Sequence, residues 1–426
     1  MKDRISLVAA ISIGIGGMIG AGIFSILGVV AQASGAAMWL SFLIGGVVAL
    51  FSTYSYAKLG AKFPSAGGAV EFLAKGWGTG TISGGLNLFM WIGYVIAIAL
   101  YAQGFSSYAL TFFSAVPSPI MTKAVAAGAV ILFTIINMLG AGDVGKAETF
   151  IVAVKVSILV LFAGTGLFFI EPSNLAPVHW NSTEYIFFGA GVLFIGYEGF
   201  GLITNAAGNM DNPSKSLPKA LYLAVFIVII IYLAVSITVS GNLTTGQISA
   251  ARDFALAEAA KPFLGMFGFK LIAVAALFST ASAINATLFG GSNVSYMVAK
   301  EGQLPAVFAR DGIKGATGGL LITSLMVICF ILFFDLAGIA MMGSGAFLLV
   351  YAAVNAGHLR ILKQTGAKGW LVAISLILCL VMFAILEVYT YRNAPEAVYT
   401  MIALLIGSFA AEIVWQKFRK KTSINS

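Results

Sequence analysis

Apolar residues in this chain neither alternate nor keep to one helical face; they run in long stretches parted by short polar joints. A helix needs about 20 mostly apolar residues to cross a bilayer. Such windows occur near 5–33, 36–57, 84–113, 118–140, 148–170, 185–208, 217–241, 267–299, 317–334, 337–357, 369–391 and 396–416. The pattern predicts an all-α polytopic membrane protein with about 12 transmembrane helices. The ninth and tenth windows are the least sharply divided, because only Asp335–Gly338 separate them. Two joints carry helical patterns of their own. Ala57–Gly78 predicts a short helix lying along one membrane face, and Ile248–Pro262 predicts an amphipathic helix on the other, a lid or a cap.

Two windows break the pattern. Ile11–Ser25, ISIGIGGMIGAGIFS, holds Gly14, Gly16, Gly17, Gly20 and Gly22, and Phe188–Gly201, FGAGVLFIGYEGFG, holds Gly189, Gly191, Gly196, Gly199 and Gly201. Each glycine costs a helix interior about 1 kcal/mol relative to alanine. Two readings explain the expense. Glycines let helices approach closely, or they let a helix open and leave backbone amides and carbonyls free, which a membrane tolerates only around a cavity. The breaks fall in spans one and six, five spans apart, and an odd number of helices per repeat inverts the second copy. Paired breaks at matching positions point to a midplane binding site. The expected organisation is one transmembrane domain, 1–426, with repeats over 5–170 and 185–357 and a final helix pair over 369–416.

Composition agrees. Of 426 residues 60% are hydrophobic and 9% charged, against about a quarter charged in soluble proteins. The net charge of +8 reads as topology, not as a nucleic-acid partner. Eighteen cations (Lys2, Arg4, Lys58, Lys62, Lys75, Lys146, Lys215, Lys219, Lys300, Arg310, Lys314, Arg360, Lys363, Lys368, Lys417, Arg419, Lys420 and Lys421) flank spans on one face. Five (Lys123, Arg252, Lys261, Lys270 and Arg392) flank the other. The cation-rich face is the cytoplasmic one, which puts both termini inside the cell. Two cysteines, Cys329 and Cys379, lie in separate apolar runs, and two histidines, His179 and His358, are isolated, so no disulfide framework or metal centre is expected.

Two charges lie within spans, where ionisable groups are functional candidates by default. Glu198 sits about 20 Å into span six. It is either a proton carrier or a structural carboxyl held by the freed amides of the break. Lys155 in span five either faces the helix bundle or snorkels about 8 Å to the membrane surface. Ser279 and Ser282 share a face of span eight and either serve the break in span one or bond the preceding turn. Tyr94 is the span-three aromatic placed deepest.

Several motifs resemble the amino acid–polyamine–organocation (APC) superfamily. They are Gly17-Met18-Ile19-Gly20-Ala21-Gly22-Ile23-Phe24, Pro64-Ser65-Ala66-Gly67-Gly68, Asn212-Pro213 with Pro218-Lys219-Ala220, and Ala299-Lys300-Glu301-Gly302-Gln303-Leu304-Pro305. Ala260-Lys261-Pro262-Phe263-Leu264-Gly265 and Phe150-Ile151-Val152 leading to Lys155 look like its archaeal proton-coupled, broad-specificity amino-acid transporters. The second motif departs in continuing Ala69-Val70-Glu71 where aromatics are common. The resemblance implies a five-plus-five inverted-repeat (LeuT-like) fold with discontinuous helices one and six. It implies that amides around Gly20, Ala21 and Gly22 receive a substrate carboxylate. Carbonyls near Met18, Val192, Leu193 and Ile195 would accept from its ammonium, with Ile19 and Gly196 in the same stretches and Phe194 and Tyr94 along the variable part. It implies that Lys155 replaces the coupling sodium, touching the carbonyl of about Gly16 and the hydroxyls of Ser279 and Ser282. Acids stand at the Glu198 position in several members, which makes Glu198 a second protonation candidate.

The expected function is therefore a proton-coupled, sodium-independent importer of neutral or small L-amino acids, of broad specificity, in the cell membrane. Its partners are the amino acid, protons and lipid, with no cofactor, no metal, no nucleic acid and no obligate protein partner. The alternative is an amino-acid or polyamine antiporter of the same fold with Glu198 as the proton sensor. An intramembrane Ser/Lys enzyme built from Lys155 and Ser279 or Ser282 would leave the doubled break unexplained. A channel would repeat a pore element around an axis, which this chain does not do. A nutrient receptor of this fold remains a further reading, separable by transport assays.

Overall fold

The computed structural model describes residues 5–65, 67–113, 118–139, 144–300, 302, 304, 306–308 and 318–424. Of the positions discussed above, Lys2, Arg4, Ala66, Glu301, Gln303, Pro305, Arg310 and Lys314 lie outside these residues, as do the side chains of Ala21, Lys146, Arg419, Lys420 and Lys421. The helices are α1 (Leu7–Met18), α2 (Ala21–Phe24), α3 (Leu27–Ser34), α4 (Met38–Lys62), α5 (Ala69–Trp77), α6 (Thr81–Leu110) and α7 (Pro119–Met138). There follow α8 (Val144–Gly166), α9 (Thr183–Val192), α10 (Phe200–Asn205), α11 (Pro213–Asn242), α12 (Thr245–Ala251), α13 (Ala255–Glu258) and α14 (Lys261–Lys300). The last are α15 (Gly318–Phe333), α16 (Leu336–Arg360), α17 (Leu362–Thr365), α18 (Gly369–Asn393) and α19 (Pro395–Ile424).

Among the described residues, eleven helical stretches are long and apolar enough to span a bilayer. The twelfth expected span is α15, a shorter apolar helix over 318–333. The narrow joint before α16 is a cap. Asp335 is extended, and its carboxylate accepts from the Gly338 amide at 2.8 Å, which satisfies an orphan donor of the new helix. Ser118 caps α7 in the same way, with Pro119 in the first turn. The helix expected within 57–78 is α5. The single helix expected over 248–262 is instead two short ones, α12 and α13, parted where Arg252 takes φ +47°. Unforeseen from the sequence, 167–179 forms three 3-10 turns, two of them opened by Pro172 and Pro177.

Spans one (α1–α3) and six (α9–α10) run antiparallel, with a local parallel bridge of Ile5 to Met210 just beyond their ends. Ile5 donates to the Asn209 carbonyl at 2.9 Å, Gly17 lies on Gly199, Gly22 lies on Gly196, and Gly35 bridges to Trp180. Each step forward in one span is matched by a step back in the other, which is the relation an inverted pair requires. Around this crossing α4 packs on α11, and α6, buried through its central turns, packs on α14, α16 and α19. One face of the bundle holds Ile5, Asn209, Gly68 against Asn205, and the Thr81–Gln416 bond, so both described chain ends share it. The opposite face holds the bonds of Asn181 to Ala33, Ser107 to Asp253 and Gln103 to Phe334.

Candidate functional site at the paired breaks

A helix that stops inside the membrane leaves its last carbonyls and the next helix's first amides without partners, and buried backbone groups must find substitutes. In span one α1 ends at Met18 and α2 begins at Ala21. The freed carbonyls go to side chains from three other spans. Lys155 of α8 donates to Gly16 at 3.0 Å, Tyr232 of α11 reaches Met18 with its hydroxyl, and Ser279 of α14 donates to Ile19. The Gly20 amide turns back onto the Met18 carbonyl at 2.9 Å. Gly20 itself faces Ala283 and the Tyr101 ring. Ala21 and Gly22, as the first residues of α2, present amides that the helix does not use.

Span six is handled alike. After Val192 the chain tightens into a 3-10 turn, Leu193–Tyr197, before α10. Ser344 of α16 bridges that turn, donating to the Val192 carbonyl at 2.6 Å and accepting from the Ile195 amide at 2.9 Å. The Ile195 carbonyl accepts from the Glu198 amide at 3.2 Å. The Tyr232 hydroxyl also lies 3.0 Å from the Gly196 carbonyl, so one phenol joins both breaks.

Lys155 therefore faces the bundle, not the membrane surface; its side chain is 1% exposed. Its amine sits at the carbonyl end of α1, where the helix dipole favours a cation. Ser279 reaches the break, and Ser282 is buried three residues on in the same helix. Glu198 is also 1% exposed, and its Oε2 has no hydrogen-bond partner among the described residues. The Tyr351 hydroxyl meets the backbone carbonyl of Glu198 at 3.0 Å, not its carboxylate. Phe194 and Tyr94 border one aromatic cluster. Phe194 packs on Tyr351 at 5.8 Å, Tyr94 on Phe347 at 5.7 Å, and Phe347 on Tyr351 at 6.2 Å. No group of three His, Cys, Asp or Glu able to hold a metal occurs among the described residues.

The glycines serve both readings at once. Gly17 on Gly199 and Gly22 on Gly196 are close backbone approaches, while the interval between them is where the helices open. Sequence reasoning missed Tyr232 and Ser344. The only signal for Tyr232 was a hydroxyl inside the run Ile229–Ala234, which packing explains equally well.

The model of the amino acid permease family matches residues 5–410, so the chain belongs to that family. An uncharacterized protein of Methanocaldococcus jannaschii is 40% identical over 100% of this chain and 98% of its own. The inner membrane transport protein YbaT of Escherichia coli is 31% identical over 95% of this chain and 93% of its own. The serine/threonine exchanger SteT of Bacillus subtilis is 28% identical over 72% of this chain and 70% of its own. A solved manganese transporter from Eremococcus coleocola, 11% identical, superposes with a TM-score of 0.64 over 97% of this chain and 94% of that one, a likeness of fold. The chain is a multi-pass membrane transporter whose family carries amino acids.

Proposed function

We propose that this permease is a proton-coupled, sodium-independent importer of neutral or small L-amino acids, working by alternating access. The observation that carries the reading is the Lys155 ammonium on the Gly16 carbonyl at 3.0 Å. A protonated lysine there supplies the positive charge that holds the carbonyl end of α1 in place; once it loses the proton, that end is released. The substrate carboxylate lies at the amides of Ala21 and Gly22, joined by that of Gly20 once it leaves the Met18 carbonyl it bonds at 2.9 Å in this conformation. Its ammonium lies toward the carbonyls of Met18, Val192, Leu193 and Ile195, and its side chain lies between Phe194 and Tyr94. In this conformation Met18 already accepts from Tyr232 and from the Gly20 amide, and Val192 from Ser344; the Val192 carbonyl has a second lone pair for the ammonium, and one on Met18 is freed when the Gly20 amide turns to the carboxylate. Release of α1 separates Ile5 from Asn209 and opens the face that carries the chain ends, here read as cytoplasmic from its lysines and arginines. The repeats are 5–170 and 185–357, and the antiparallel match of spans one and six supports them.

The test is uptake of labelled alanine into proteoliposomes under an inward pH gradient, an inward sodium gradient, or preloaded substrate. Accumulation driven by pH alone is expected. A requirement for sodium overturns the reading. A requirement for internal substrate favours the second reading, an exchanger, for which the unpartnered Glu198 Oε2 is the supporting observation. SteT, named as an exchanger, keeps that reading within the family.

A further inference from the structure

On the face opposite the chain ends lies a cavity of about 290 Å³, at the small end for a ligand pocket. Three elements wall it. Span one contributes Gly28, Val29 and Gln32 of α3, the α12–α13 joint contributes Arg252 and Asp253, and the start of α16 contributes Asp335. The central site uses none of these residues.

The charges are arranged as one cation and two anions. Arg252 makes no ion pair among the described residues, although its guanidinium is exposed beside the cavity. Asp253 has one hydrogen bond among the described residues, from the Ser107 hydroxyl at 3.0 Å. Asp335 spends one oxygen on its helix cap. Asp253 is drawn toward Arg252 and, less strongly, repelled by Asp335, and neither carboxylate forms an ion pair within 4 Å among the described residues. A ligand ammonium beside Asp253 and Asp335 gives both carboxylates a cation in contact, and a ligand carboxylate gives an anion to Arg252, whose planar fork suits a carboxylate.

The wall is also built into the transport path. Any Cβ on Gly28 would lie 2.2 Å from the Arg252 carbonyl, so the α12–α13 joint rests directly on span one. Ser107, which holds Asp253, precedes Tyr108, whose hydroxyl donates to the Phe24 carbonyl at 2.6 Å at the end of α2. Gly28 is six residues from Gly22, about 9 Å at helical rise.

We infer that this cavity is a loading site for a zwitterionic amino acid, Arg252 taking the carboxylate and Asp253 with Asp335 taking the ammonium, before the substrate reaches the breaks. The inference rests on the amino-acid import proposed above and on this face being the outer one. It differs from the central site in recognising both ends of the substrate by charged side chains instead of backbone.

The test is chemical protection. Val29→Cys is placed in a protein carrying Cys329→Ser and Cys379→Ser, reconstituted in vesicles, and labelled with a membrane-impermeant maleimide. Millimolar L-alanine is expected to slow labelling severalfold, while propionate and ethylamine, each with half of the zwitterion, do not. Arg252→Gln and Asp335→Asn each abolish the protection and raise the KM for uptake severalfold, and Arg252→Lys restores part of it. Asparagine is an equally good helix cap, so Asp335→Asn keeps the fold. Absence of protection by every neutral amino acid tried overturns the inference, whether or not uptake occurs. Equal protection by propionate or ethylamine, or protection that survives Arg252→Gln, also overturns it. Protection without uptake leaves the site standing and removes the transport reading instead.

Discussion

A Cβ on Gly22 would lie 2.6 Å from the Cα of Gly196, so the two broken helices touch backbone to backbone. The same holds one turn away, where a Cβ on Gly199 would lie 2.3 Å from the carbonyl carbon of Gly17. These contacts hold the two openings opposite each other.

Alanine at these positions should therefore cost stability, since backbone cannot move aside as a side chain can. Overpacking costs about 1–3 kcal/mol. Gly22→Ala and Gly199→Ala should lower the thermal midpoint in detergent more than Gly196→Ala, where the nearest atom is at 3.2 Å. Gly128→Ala, with nothing within 4 Å of the added carbon, should be neutral or stabilising by up to about 1 kcal/mol. Equal midpoints for Gly22→Ala and Gly128→Ala would mean that the crossing is looser than described.

Tyr232→Phe keeps the ring and removes the hydroxyl shared by Met18 and Gly196. Leaving a buried acceptor unsatisfied costs about 1–3 kcal/mol, and the loss should appear as a lower unfolding midpoint. Ser344→Ala, which strips both a donor and an acceptor from the span-six turn, should cost at least as much. Wild-type midpoints in both variants would show that water replaces the hydroxyls and that the breaks are wet.

Lys155→Ala should take pH-driven accumulation of alanine down to the passive leak while one-for-one exchange persists. The variant removes the amine at Gly16 but none of the groups at Gly20–Gly22 proposed to meet the substrate. Accumulation at the wild-type level in Lys155→Ala proteoliposomes would count against the coupling role. Glu198→Gln in the same assay distinguishes the second candidate. If Lys155 alone couples, this variant still accumulates alanine.

Asp253 offers a pH test outside the membrane spans. Burial pushes its carboxyl above the usual aspartate range, Ser107 and Arg252 pull it back, and Asp335 adds to the rise; Tyr108 also faces it. A carboxyl raised in the folded state stabilises the fold fully below its unfolded value of about 3.9 and loses that contribution as pH rises through the folded value. Asp253→Asn has no such loss. The thermal midpoint of the variant should gain on the wild type as pH is raised from about 4, and parallel curves would refute the effect.

The membrane character, the order of the spans, the two breaks and the two intramembrane charges were all legible in the sequence. Each is a local property: twenty apolar residues, or a glycine cluster among them, declare themselves without reference to the rest of the chain. The resemblance to a known family added an expectation of which break residues would meet a substrate, and the contact of Lys155 with Gly16, which the structure contains.

What the sequence by itself could not determine is who replaces the missing helix. Tyr232 lies 214 positions from Met18 and Ser344 lies 152 from Val192, and a hydroxyl in an apolar span reads the same whether it bonds its own helix or another. The charges of the cavity beside α3 show the same limit. Arg252 and Asp253 are neighbours in sequence, but only the folding of α3 and α16 against their joint brings Gln32 and Asp335 to one cavity. Local pattern records which residues avoid water. Which freed carbonyl each buried donor reaches is decided by the crossing of helices, because a buried polar group is satisfied wherever packing delivers a partner.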